Sequence, residues 1–197
     1  LLGHSPVDWS LIGNAHAGKI MHGEWWRLVT ALCLHSGWLH LLGNLVIGGI
    51  FIVRLCRDLG SGLAWSLLLC SGILGNLLNN YLQQPAHRAV GASTAIFGAV
   101  GILAALSLVR YRHNLRRRWP LPIAAALGLL ALLGATGERT DVGAHLFGFL
   151  CGLGIGFLAE NVIGRYGRPS EKTNRLLALG SVGVIGIAWW SALLFGS

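Results

Sequence analysis

Six apolar windows, none of which holds any of the chain's 22 charged residues, constrain its fold more than any other feature. They are Ser36–Val53, Leu63–Leu82, Gly91–Val109, Leu121–Thr136, Gly143–Ala159 and Leu176–Phe195. A helix needs roughly 17–25 apolar residues to cross a bilayer, and all but the fourth window, the shortest, reach that range. A soluble helical bundle is the competing architecture, but it would need polar outer faces, and the windows have none. Charged residues make up 11% of the chain and its mean hydropathy is +0.63, whereas a soluble domain carries about 25% charge. The 29 glycines follow no period, which sets aside collagen-like sequence and suits closely packed membrane helices. The expected fold is all-α, a polytopic bundle of six spans.

The basic residues give that bundle a direction. With the first window running from outside to inside, the inner segments hold Arg54, Arg57, Arg110, Arg112, Arg116, Arg117, Arg118, Arg165, Arg168, Lys172 and Arg175. The outer segments hold only Lys19, Arg27, Arg88 and Arg139. Cationic residues favour the cytoplasmic side, so the net charge of +8 reads as topology. The Arg110–Arg118 cluster lies between two spans, so anionic lipid headgroups, not nucleic acid, are its expected partner.

Residues 1–35 are too polar to span and carry Trp9, Trp25 and Trp26, residues that favour the membrane–water interface. They are expected to form an outer interfacial segment. Residues 36–159 then form the core, 160–175 a cytoplasmic linker and 176–197 a final span. Cys33, Cys56, Cys70 and Cys151 lack metal-type spacing and read as free thiols. No metal or cofactor is expected.

Polar groups inside apolar windows are costly and call for explanation. His40 and Asn44 are four residues apart, on one helix face. Ser93 opens the third window in Gly91-Ala92-Ser93-Thr94-Ala95, and His145 opens the fifth in Gly143-Ala144-His145. These three windows all run outside to inside. The four polar residues lie within about two turns of the outer ends, at similar depth. Singly, such residues serve as interhelical glue or bond their own backbone. Together they can make a nucleophile, Ser93, a general base, His145, and two oxyanion donors, His40 and Asn44.

This set resembles the rhomboid family of intramembrane serine proteases. Gly23-Glu24-Trp25-Trp26-Arg27 resembles the family's Trp-Arg loop signature. The stretch from Leu34 to Asn44 resembles its His-x-x-x-Asn helix. Gly91-Ala92-Ser93 with Gly98 resembles its nucleophile helix, and Ala144-His145-Leu146-Phe147-Gly148 its base-bearing helix. The resemblance covers about Gly23 to Ala159. It implies a Ser93–His145 dyad without an acidic third member. It also implies an oxyanion hole from His40, Asn44 and the Ser93 backbone N–H, structural support from Arg27, Gly91, Gly98 and Gly148, and cleavage of other membrane proteins within or beside their transmembrane segments. Lipids and transmembrane substrates are the implied partners. The implied setting is a bacterial cytoplasmic membrane, with the site near the outer face.

Three departures from the family pattern stand out. The family places its nucleophile on the fourth span and this chain on the third window, so the first span is expected to be missing, with Leu1-Leu2 its stub. The last window is then the extra C-terminal span of the seven-span form. Thr94 stands where the family often has Gly, and Phe97 where some members have Tyr. Asp141, four residues before His145, reads as a helix cap, not a triad acid. Other hydrolase classes lack their marks: there is no His-Glu-x-x-His, no acid inside a window and no Gly-x-Ser-x-Gly. A transporter would show an inverted repeat, and none is apparent. The alternative from another class is a non-catalytic rhomboid-like protein that binds or escorts membrane clients.

Overall fold

In a computed structural model, residues 7–110, Gly128 and 141–196 are described. The fourth window, Leu121–Thr136, lies outside them but for Gly128, as does most of the Arg110–Arg118 cluster. Residues 7–35 fold into short pieces: α1 (Trp9–Gly13), β1 (Ala15–His16), α2 (Ala17–Met21), α3 (Arg27–Thr30) and a 3-10 turn (Ala31–Cys33). Five long helices follow among the described residues. These are α4 (Trp38–Leu59), α5 (Ser61–Leu82), α6 (Ser93–Arg110), α7 (Val142–Tyr166) and α8 (Glu171–Phe195), with β2 (Arg88–Ala89) just ahead of α6. All five are long and apolar enough to cross a membrane, and the chain is an integral multi-pass membrane protein.

The long helices outrun the windows at their charged ends. α4 continues through Arg54, Arg57 and Asp58, and α7 through Glu160 and Arg165. Three of those charges are paired: Arg54 with Asp58, and Glu160, through both carboxylate oxygens, with Arg110 at 2.7 and 2.8 Å. The stretch 160–175 is therefore mostly helical, with only residues 167–170 between α7 and α8. α4 passes into α5 through Gly60 alone, whose φ of +87° permits the reversal.

α6 is the central helix. In its most apolar window 72% is buried inside the protein, against 17% for α4 and for α8. It runs parallel to α7, since Gly148–Thr94, Gly152–Gly98 and Gly156–Ile102 advance together, and parallel to α4, since His40–Gly91 and Gly48–Ile96 do. It runs antiparallel to α5, where Gly75 meets Thr94 and Ser71 meets Gly98. Small residues let α6 and α7 meet backbone to backbone. A methyl group at Gly152 would lie 2.7 Å from Gly98 Cα, and one at Gly156 would lie 2.8 Å from both Ile102 Cα and Ala105 Cβ. Such stripes bring helices closer than the 8–10 Å usual with larger side chains.

α8 packs along α5. Asn174 Oδ1 accepts from the Leu63 N–H at 2.8 Å, and Ser66 and Ser181 hydroxyls are bonded at 3.0 Å. Its far end supports the interfacial segment. Trp189 meets Trp9 edge-on, Phe195 lies against Trp26, and Ala188 and Ala192 pack with Ile12 and Val29. Within that segment Arg27 is fully buried. Its guanidinium donates to Glu24 at 2.6 Å, to the Leu11 and Asn14 carbonyls at 3.0 Å and to the Asn14 side chain at 3.1 Å. One side chain thus ties α1, the chain ahead of β1 and the start of α3 together.

Candidate active site

Ser93 is the first residue of α6, and His145 lies in the first turn of α7. The close approach of those helices sets the two side chains against each other. His145 Nε2 and Ser93 Oγ are 2.8 Å apart, and both residues are more than nine-tenths buried. The distance is within the range needed for direct proton transfer. Phe97, one turn after Ser93, stacks on the His145 imidazole with centroids 4.4 Å apart and planes 17° from parallel. The ring at this position therefore packs on the histidine, fixes its plane and offers a π-face to a cationic imidazolium.

His40 also stands close to Ser93. Its Nδ1 is 3.0 Å from the Ser36 hydroxyl, and its ring lies against the backbone of Gly91. A Cβ at Gly91 would be 2.8 Å from His40 Nε2 and 3.5 Å from Ser93 Oγ, so both atoms border one small space that only glycine leaves open. Gly91 also has φ +138°, and its N–H donates to the Ala31 carbonyl at 2.9 Å. Its role is to admit His40. Asn44, one turn below His40, is buried, and neither polar atom of its side chain has a partner among the described residues. Leaving such a group unsatisfied costs about 1–3 kcal/mol, and an acceptor placed against Nδ2 would offset its share.

Asp141 is engaged elsewhere. Its Oδ1 caps α7 by accepting from the Ala144 N–H at 3.0 Å, and its Oδ2 accepts from Asn79 at 2.6 Å and from His87 at 2.7 Å. His145 Nδ1 has no partner among the described residues, so Ser93 and His145 stand as a pair without an acid. His35 meets His40 edge-on at 5.2 Å, and burial, then the neighbouring His40, lowers its pKa below the ordinary value. Gly98 and Gly148 sit at the α6–α7 contact. A Cβ on Gly148 would overlap the Thr94 backbone, and one on Gly98 would meet Ser71. Arg27 is remote from Ser93 in its contacts and holds the interfacial segment.

Sequence reasoning passed over three residues of this region. Ser36, Asn79 and His87 each bond a residue it had singled out. Asn79 was the most accessible of them, because Asn76, Asn79 and Asn80 interrupt an apolar window, and all three are buried.

A multi-pass helical membrane protein with a buried Ser–His pair between two tightly packed helices is the class this geometry defines. A family profile described as the Rhomboid domain matches residues 22–161. The chain belongs to the rhomboid family. It is 34% identical over 157 residues to the rhomboid relative YdcA of Bacillus subtilis (strain 168), a match covering 79% of this chain and 77% of that protein. It is 37% identical over 148 residues to Rhomboid-like protease 3 of Toxoplasma gondii (74% and 56% of the two chains). It is 30% identical over 159 residues to RHOMBOID-like protein 5 of Arabidopsis thaliana (80% and 52%). The matches thus cover little more than half the length of the last two relatives.

Proposed function

We propose that this chain is a serine endopeptidase that cleaves transmembrane segments of other membrane proteins. The observation that carries the reading is the 2.8 Å approach of His145 Nε2 to Ser93 Oγ in a buried site. In the first step Ser93 Oγ attacks the scissile carbonyl carbon while its proton passes to His145 Nε2. The carbonyl oxygen becomes an oxyanion, held by N–H donors from His40, Asn44 and the Ser93 backbone. The intermediate collapses when the imidazolium returns its proton to the leaving amine. Water, deprotonated by His145, then hydrolyses the acyl-enzyme and restores Ser93.

The geometry around the pair supports these roles. The Ser36 backbone N–H donates to His40 Nδ1 at 3.5 Å, so Nδ1 acts as acceptor and His40 Nε2 is left to carry the proton that an oxyanion needs. Phe97 against His145 stabilises the imidazolium formed midway. The eleven-to-four division of basic residues supports an orientation with the Ser93 end of the bundle towards the outer side of the membrane.

The test is cleavage of a transmembrane reporter, read alongside labelling by a fluorophosphonate probe. Ser93→Ala and His145→Ala should each abolish cleavage in protein that purifies normally. His40→Ala and Asn44→Ala each slow it, by up to about 10²–10³-fold for a lost donor and less if the donors substitute for one another. Full activity in Ser93→Ala ends the protease reading. Well-folded wild-type protein that takes up no probe and cleaves nothing would favour a client-holding role instead.

A further inference from the structure

Asp141 receives more hydrogen bonds than a helix cap requires, and their origins are informative. One oxygen caps α7 through the Ala144 N–H. The other takes the Asn79 amide from α5 and the His87 ring from the stretch that leads into Ser93. The Asp141 carbonyl accepts the N–H of His145 itself at 3.2 Å. Gly143 leaves room for this arrangement, since a Cβ there would overlap Asn79 Oδ1. Asn79 is 1% exposed.

His87 is held on its other side too. Its carbonyl accepts from the Ala17 N–H at 3.0 Å, and the next two residues pair with Ala15 and His16. Two residues further on, Gly91 is bonded to Ala31. The stretch 83–92 is therefore fixed to the interfacial segment along one edge and to α7 at one point. That point is the His87–Asp141 hydrogen bond. It lies six residues before Ser93 and four before His145, about 6 Å along α7 from the base at 1.5 Å per residue.

We propose that Asn79, His87 and Asp141 form a positioning lock that holds the first turn of α7 in register with the first turn of α6. The proposal rests on the protease reading. None of the three touches a reacting atom; they act through His145. The glycine stripes fix how close the helices lie, but a smooth small-residue face leaves sliding and rotation open. A directed bond near the end of each helix removes that freedom. The carboxylate is well suited to the task, because an ionised acid can accept all three donors at once and charge-assisted bonds are the stronger kind.

Capping and locking separate in one substitution. Asp141→Asn keeps an oxygen for the Ala144 N–H, since Asn caps as well as Asp. Its amide nitrogen cannot accept from Asn79 or His87. The assay is reporter cleavage with kcat and KM resolved, scaled to the fraction of molecules titrated by a fluorophosphonate, with Ser93→Ala alongside. Asp141→Asn and His87→Ala should each lower kcat by about tenfold or more, towards the ~10²-fold expected of a 1 Å misplacement, with KM unchanged. His87→Gln, which can still donate to Asp141, should recover most of the loss. Wild-type kcat in both Asp141→Asn and His87→Ala, with Ser93→Ala inactive, overturns the lock and leaves the protease reading intact. So does a loss confined to the titrated fraction, because that marks a role in folding alone. Activity in Ser93→Ala defeats the underlying reading instead.

Discussion

Adding one methyl group at Gly148 is the sharpest test of how the dyad is aligned. Gly148 packs on Thr94, the residue after Ser93, and a Cβ there would lie 3.0 Å from the Thr94 carbonyl carbon and nearer still to its oxygen. Both are backbone atoms, so no side chain can swing aside. Relief requires the α6–α7 contact to open, by roughly 1 Å, and a misplacement of that size costs about 10²-fold in rate. It would carry Ser93 Oγ and His145 Nε2 from 2.8 Å past the roughly 3.2 Å limit for direct proton transfer. Intrinsic propensity works the other way: alanine favours a helix over glycine by about 0.8–1 kcal/mol. Local helix weakening therefore cannot explain a loss. Gly183→Ala is the control, since a Cβ at Gly183 on α8 meets nothing within 4 Å. Both variants are compared in reporter cleavage after size-exclusion chromatography in detergent. Gly148→Ala should lose about 10²-fold, and Gly183→Ala should match wild type. Wild-type cleavage by Gly148→Ala, or an equal loss in Gly183→Ala, would refute the claim that this contact sets the catalytic distance.

Three further outcomes can be checked. In a cysteine-free background, a thiol at Ala86 should react with membrane-impermeant reagents in intact cells and one at Arg168 only with permeant ones; the reverse pattern would invert the proposed orientation. Arg27→Ala should lower stability in detergent by about 3–5 kcal/mol, because it leaves Glu24, the Leu11 carbonyl and two buried Asn14 oxygens without their donor; an unchanged melting temperature would contradict the role assigned to it. Because the folded pKa of His35 lies below the ordinary value, the unfolded chain binds that proton first on acidification. Stability should therefore hold above about pH 6.5 and fall as the pH drops from there towards the folded value, and His35→Gln should flatten that slope in melting curves; an identical slope would rule His35 out.

The elements of the fold that could be read from the sequence are those that depend on one helix at a time. Every described window is a helix, because a run without charge has few alternatives in a bilayer. Helix ends were legible only to the first charge, since ion pairs such as Arg110–Glu160 let a helix continue beyond its apolar stretch. Ser93, His145, His40 and Asn44 stood out because polar groups in apolar runs are expensive. The position of Asp141 showed a cap and concealed the rest. Its bonds to Asn79 and His87 join residues 62 and 54 positions apart, and no local spacing encodes them. Ser36 was legible only as part of a motif; its bond to His40 depends on how the chain turns into α4.

The contact of α6 with α7 has a consequence for how the site responds to heat and to its surroundings. Where helices are separated by leucine or methionine, their spacing fluctuates as those side chains change rotamer. Here the facing surfaces at Gly98, Gly148 and Gly152 have no rotamers. Thermal disorder in side chains at these positions therefore does not change the spacing of the two helices; only rigid movement of a whole helix does. Such movements answer to the thickness and lateral pressure of the bilayer, so the lipid environment, more than temperature, is the variable to which this distance is exposed.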